Sequence, residues 1–306
     1  LPPFFFFINK KKKRLIVVFG HTATGKSELA FKLANKYNGE VISADSRQVY
    51  KGLDIGTGKI TKKEMSGVPH HMLDVVHPKK TFTVAEWKIE ADKKIKEIVS
   101  KGKLPILCGG TGFYIQAIVE GLVLPEVPPN TKLRKELTNK SSESLFLILK
   151  KLDPERAENI DAKNPVRLIR AIEIAKSLGR VPKITNNNTP YKILQIGLDS
   201  KDADLKTKIK TRINSRMKKG MLKESVNLNK NGLSFKRMES LGLEYRLLSE
   251  LIQNKIDKNE FKLKLENEIW QYVKRQRTWF KRDKKIKWFE PRNLNKIEKE
   301  INSFLD

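Results

Sequence analysis

The 306-residue sequence predicts a doubly wound α/β fold: a parallel sheet flanked by helices, interrupted by a helical insertion and completed by a basic helical C-terminal lobe. Three observations predict it. Short apolar runs rich in β-branched residues alternate with segments of helical period. The first run leads directly into a glycine-bracketed loop. The last third carries little strand signal and concentrates Lys and Arg.

Leu15, Ile16, Val17, Val18 and Phe19 form a continuous apolar run ended by Gly20, as a strand covered on both faces requires. Leu29, Ala30, Leu33, Ala34 and Tyr37 then recur at helical spacing, and Asn38-Gly39 closes that helix. Residues 41–44 read as a second strand, 84–99 as a helix, and 104–108 as a third strand stopped by Gly109-Gly110. Strand, helix and strand in alternation imply parallel pairing. After Gly121, three prolines (Pro125, Pro128, Pro129) mark a boundary, and polar helical stretches follow. Asn164-Pro165 starts a helix over 166–178 that Gly179 ends, 191–198 returns to the sheet, and from about 202 the chain is helical and basic. The resulting division is a leader at 1–13, the first part of the α/β core at 14–122, the insertion at 123–165, and core completion with the basic lobe at 166–306.

Hydrophobic residues at 39% and charged residues at 32% describe an ordinary globular chain and exclude a disordered one. Lys and Arg number 63 against 35 Asp and Glu, a net charge of +28, which points to a polyanionic partner. That charge is densest from Trp270 to Trp288, with eight Lys or Arg, one acid and five aromatics in 19 residues. On a helix, Phe261, Leu265, Ile269, Tyr272 or Val273, Gln276 and Phe280 form an inward stripe, and Lys274, Arg277, Lys281 and Lys284 an outward one suited to phosphates. Cys108 is the only cysteine, so no disulfide framework forms and a reducing cytoplasm is the expected compartment. The apolar N-terminal stretch is too short for a membrane span, and its charges lie on the wrong side for a signal peptide. His70 and His71, followed by His77, do not form a zinc site, because adjacent side chains diverge and no cysteine accompanies them.

Gly20, His21, Thr22, Ala23, Thr24, Gly25, Lys26 and Ser27 match G-x-x-x-x-G-K-[ST] between a predicted strand and a predicted helix, which makes the fold P-loop NTPase-like. In such a loop the glycines let successive N–H groups turn inward, the lysine meets the terminal phosphate, and Ser27 can ligate Mg²⁺. The loop specifies only a diphosphate or longer chain. The third strand ends without the acid that most nucleotide hydrolases use to hold metal, which weighs against a kinase or an RNA-dependent NTPase. The acid that does end a strand is Asp45, able either to bind metal or to take a proton.

The order and spacing of several blocks resemble the tRNA dimethylallyltransferase family. These are the loop, the segment from Ile42 through Asp45 and Gly56 to Lys59, Pro69 to Asp74, Gly109 to Tyr114, Asn164 to Glu173, Arg212 to Met217, and Tyr272 to Phe280, together spanning about residues 15–290. The resemblance implies transfer of a dimethylallyl group from its diphosphate, with Mg²⁺, to the adenosine 3′ of the anticodon in a tRNA anticodon stem-loop. It implies Asp45 as the base, Thr111 near the reacting centre, and Lys26 and Arg216 on the leaving diphosphate, which Arg212 and the eight loop residues also bind. It further places Asp45, Ser46, Arg47, Gln48, Arg167, Arg170, Gly242, Lys274, Arg275 and Gln276 against tRNA. Without the resemblance, Arg167 and Arg170 read as a solvated basic face. The family's Gly-Tyr-basic block departs here, since Tyr245-Arg246 stands two residues later, and only Gly242 is carried over from it. A prenyltransferase of free adenine nucleotides would share the loop and Asp45 but has no need of the basic lobe. A monomer is the default expectation.

Overall fold

The computed structural model describes residues 12–183, 185 and 189–306. The expected leader therefore lies outside the described residues up to residue 11, and Lys13 is already in the first strand.

The chain falls into two compact units, Leu1–Gly121 with Asn188–Asp306, and Leu122–Asn187. The first begins with β1 (Lys13–Gly20), α1 (Lys26–Lys36), β2 (Gly39–Ala44), α2 (Lys62–Met65), β3 (His70–His71), α3 (Val84–Ser100), β4 (Leu104–Gly109) and α4 (Gly112–Val119). The second holds α5 (Thr131–Thr138), α6 (Ser142–Leu152), α7 (Pro154–Glu158) and α8 (Pro165–Leu178). The first unit resumes with β5 (Tyr191–Leu198), α9 (Asp202–Lys218), α10 (Met221–Lys230), α11 (Phe235–Leu241), α12 (Leu243–Ile252), α13 (Lys258–Phe280), β6 (Lys287–Phe289) and α14 (Leu294–Leu305).

Among the described residues six strands pair in parallel in the order β3-β2-β4-β1-β5-β6. Chain order departs in opposite directions from β1, so the crevice for a ligand opens at the C-terminal ends of β1 and β4. Side chains alternate across the sheet. Leu15, Val17 and Phe19 join Ile42, Leu107 and Trp87 in one apolar layer, while Ile16 and Val18 join Leu29, Ile106 and Ile297 in the other. This two-sided burial is why β1 reads as an unbroken apolar run. Thr83 starts α3 with a capping box, its hydroxyl accepting from Glu86 N–H while the Glu86 carboxylate accepts from Thr83 N–H.

The second unit has its own core, in which Leu133, Leu137, Leu145 and Leu149 meet Leu168 and Ile172. Helix α8 thus belongs to this unit, and the insertion runs from residue 122 to 187 instead of ending at 165. The apolar stripe of α8 announced a buried face without stating its partner. The carboxylate of Glu173, on α8, is buried and accepts from Arg134 at 2.7 Å, from Arg170, and from Asn130 N–H. Burial alone would raise the Glu173 pKa, but these donors hold it below the usual carboxylate range.

Candidate active site

The site begins where β1 ends. Gly25 caps α1 in the left-handed region at φ 84°, a conformation glycine adopts without strain, and Ala23 holds φ 66° two residues earlier. This winding brings Thr22, Ala23, Gly25, Lys26 and Ser27 onto the wall of a cavity of about 780 Å³. Gly20, His21 and Thr24, also expected at the diphosphate, lie off that wall. Thr24 is buried and spends its hydroxyl on the His21 carbonyl at 2.9 Å. Gly20 has no room for a side chain, because a Cβ there would stand 2.7 Å from the Leu198 carbonyl oxygen.

His21 is fully buried and stacked on Trp288, with centroids 5.9 Å apart. Its Nε2 lies 3.3 Å from an Asp199 oxygen, yet neither ring nitrogen makes a well-aligned hydrogen bond. Burial lowers its pKa to about 4, with Asp199 opposing and Arg277 and Lys26 assisting, so the ring beneath the loop is neutral at pH 7. Between pH 6.5 and 4 the unfolded imidazole takes up a proton that the folded one refuses. Stability is therefore expected to fall as the pH drops through that window, by on the order of 3 kcal/mol. Thermal unfolding across this range checks it: His21→Phe should lose less melting temperature on acidification than the parent.

Opposite the loop, Asp45 follows the last residue of β2. Its Oδ1 accepts from Arg47 N–H at 2.8 Å and Gln48 N–H at 3.3 Å, a turn that fixes the carboxylate on the cavity wall. Thr111, just past β4, accepts from Ser46 N–H at 3.0 Å and makes no side-chain cap on α4. Its hydroxyl proton is thereby left to donate. The two strand ends are tied into one surface, with Ser46 and Arg47 beside them on the cavity. Gln48 also lines the cavity, but its amide is engaged with the Ser43 hydroxyl at 3.2 Å and the Gly58 carbonyl at 3.5 Å.

Helix α9 supplies the third wall. Arg212 and Arg216 are one turn apart, and both line the cavity. Arg216 donates to the Gly56 carbonyl at 2.8 Å and to Glu244 at 3.2 Å. Burial and the neighbouring Arg216 push Arg212 down to about 10, so it remains charged at pH 7. Burial also lowers the Lys26 pKa, with Arg212 and Arg216 acting in the same direction and Asp45 opposing. The cavity wall carries the cations Lys26, Arg47, Arg212, Arg216 and Arg275 against the carboxylates Glu28, Asp45, Glu64 and Glu244. The geometry suits a multiply charged anion. Around it lie apolar side chains, among them Phe31, Ile209, Ile213, Leu241 and Ile269.

Helix α13 carries the predicted stripe, with Phe261, Leu265, Ile269, Val273, Gln276 and Phe280 buried. Lys284 lies beyond its end, and Arg277 is paired with Asp199 and Asp202, so neither belongs to an outward helical row of free cations. Gln276, expected against tRNA, is instead an internal clasp: its oxygen accepts from Thr22 N–H at 3.2 Å and its nitrogen donates to the Gly110 carbonyl at 2.8 Å. It fixes the loop to the end of β4. Arg275 and Gly242 line the cavity, whereas Lys274 is exposed elsewhere on α13. In the second unit Arg167 is exposed, while Arg170 is committed to Glu173 and the Val127 carbonyl. His71 is paired with buried Glu40 at 2.6 Å, and His70 bonds the Val68 carbonyl.

Tyr272, Glu244 and the Thr57-Gly58 segment also line the cavity and were not singled out as site residues from the sequence. Tyr272 was readable only as part of an inward stripe. Gly58 is a closer signal: at φ 62°, a Cβ there would lie 1.9 Å from an Arg216 nitrogen.

A parallel sheet with this loop at its switch point, opening on cations and a strand-end carboxylate, defines a P-loop transferase. The chain belongs to the IPP transferase family, whose model matches residues 48–283. It is similar to a tRNA dimethylallyltransferase of Thermoanaerobacter sp. (strain X514), 38% identical over 304 residues and 95% of this chain and 96% of the relative. A crystal structure of the tRNA delta(2)-isopentenylpyrophosphate transferase of Staphylococcus epidermidis matches with TM-score 0.70 and 34% identity, covering 95% of this chain and 99% of that one. A eukaryotic dimethylallyltransferase captured acting on tRNA matches with TM-score 0.76 and 26% identity, covering 92% and 75%.

Proposed function

We propose that the protein transfers the dimethylallyl group of dimethylallyl diphosphate to the N6 amine of the adenosine immediately 3′ of the anticodon in tRNA, releasing diphosphate. The observation that carries this reading is the pairing of Asp45 and Thr111 through Ser46, in the same cavity as Lys26 and Ser27. The carbon–oxygen bond to diphosphate breaks as the nitrogen–carbon bond forms. The amine is a weak nucleophile because its lone pair is delocalised into the ring, and Asp45 takes the proton it loses. Charge accumulates on the departing diphosphate, where Lys26, Arg212, Arg216 and the loop N–H groups meet it. Thr111 has a hydroxyl proton to orient a reacting group, and the apolar wall with Tyr272 excludes water from the allylic carbon.

Ser27 is exposed on the cavity and offers a hard hydroxyl oxygen of the kind Mg²⁺ takes. A Mg²⁺ held at Ser27 would offset charge on the diphosphate. Arg47 and Arg275 on the cavity, with exposed Lys274, supply cations for the tRNA backbone. Among the described residues no helix is long and apolar enough to cross a membrane. One buried cysteine suits a reducing cytoplasm, where the protein would act as a monomer.

Incubation with Mg²⁺, labelled dimethylallyl diphosphate and either unmodified tRNA or AMP, with ATP hydrolysis followed in parallel, tests this. Label is expected in tRNA. Label in AMP alone, or turnover of ATP, would reject the reading.

A further inference from the structure

One carboxylate outside the cavity organises the backbone against which both cavity arginines rest. Glu224, on α10, accepts from Asp54 N–H at 3.1 Å and Ile55 N–H at 2.6 Å on one oxygen, and from Gly56 N–H at 3.0 Å and the Tyr245 hydroxyl at 2.8 Å on the other. Three successive backbone N–H groups converge on it, the arrangement by which main chain binds an anion. The carbonyl of Gly56, on the opposite side of that residue, accepts from Arg216 at 2.8 Å. There is no slack in this contact. A Cβ on Gly56 would stand 2.6 Å from the Tyr245 hydroxyl, and one on Gly58 would stand 2.6 Å from an Arg212 nitrogen and closer still to Arg216. The far end of the segment is fixed separately by buried Lys59, which bonds Asp54 and Asp74 at 2.6 Å and the Tyr50 carbonyl at 2.9 Å.

We propose that Glu224 is a positioning residue for the diphosphate pocket: by holding the N–H groups of residues 54–56 it sets the Gly56 carbonyl that aims Arg216. The proposal rests on the reading of Arg216 as a diphosphate ligand. Its cause is geometric. A guanidinium attached by a long flexible stem recognises phosphate well only if its orientation is fixed in advance, and a carboxylate that accepts several N–H bonds is a rigid fixture.

The test uses inorganic pyrophosphate as the probe, by calorimetry, on the full chain and on Glu224→Gln, Arg216→Ala and the double variant. The amide keeps the size of the side chain but turns a donor toward backbone donors. Pyrophosphate affinity is expected to fall by about tenfold in Glu224→Gln, the scale of one charge-assisted hydrogen bond. In the Arg216→Ala background the same change should cost no more than about twofold, because its effect travels through Arg216. Tyr245→Phe, a milder change to the same carboxylate, should give a smaller loss of the same kind, and tRNA affinity without prenyl donor should hold within about twofold in all. Additive losses in the double variant, or equal losses of pyrophosphate and tRNA binding, would overturn the proposal. Because the probe is bound and not turned over, a failure to prenylate tRNA would reject the functional reading while leaving this measurement interpretable.

Discussion

Asp45→Asn is expected to lower the rate of prenyl transfer by on the order of 10²–10⁴-fold, the usual contribution of a positioned general base. The asparagine oxygen can still accept from Arg47 and Gln48 N–H, as Oδ1 does in the parent, so the turn and the cavity wall should persist. What is lost is the capacity to take a proton from the adenine amine. Single-turnover transfer of label, measured beside tRNA affinity, separates the two roles: the rate should collapse while the tRNA dissociation constant changes by less than about threefold. Equal loss of both would mean that Asp45 orients the substrate or the metal and is not the base.

Lys26→Met should reduce kcat/KM for dimethylallyl diphosphate by on the order of 10²–10³-fold, the scale of removing one preorganised charge from a developing anion. The contact of the ammonium with the His21 carbonyl is long, at 3.4 Å, so little of the loop's structure depends on it. Methionine keeps most of the stem. Inhibition by added pyrophosphate should weaken in parallel, since the released diphosphate occupies the same place. A variant that still binds pyrophosphate as tightly as the parent would show that the arginines of α9 alone hold the leaving group.

The core strands and the loop were legible because their signals are local. An unbroken apolar run announces a strand buried on two faces, and the glycine-bracketed motif between that run and a helical pattern has few other uses. Asp45 was legible for the same reason, as an acid at the end of a strand. The short outer strands β3 and β6 were not, since two or three residues carry no readable period. The insertion boundary was misplaced because α8 has an apolar face that either unit would accept. The clasp role of Gln276 was hidden because its partners Thr22 and Gly110 lie far away along the chain, whereas the i,i+3 spacing of Arg170 and Glu173 was readable and only the Val127 carbonyl, which also holds Arg170, was not.

Sequence alone thus determined the parallel α/β core, the diphosphate loop, the strand-end carboxylate and the basic C-terminal helix, together with the family these imply. Only the tertiary structure decided which loop residues face the cavity, that His21 is a neutral buried support beneath the loop, and that Arg216 is aimed by a backbone carbonyl 160 residues away. The physical reason is that periodicity and turn chemistry record how each residue relates to its neighbours and to water, whereas a hydrogen bond between distant segments is specified by their packing together.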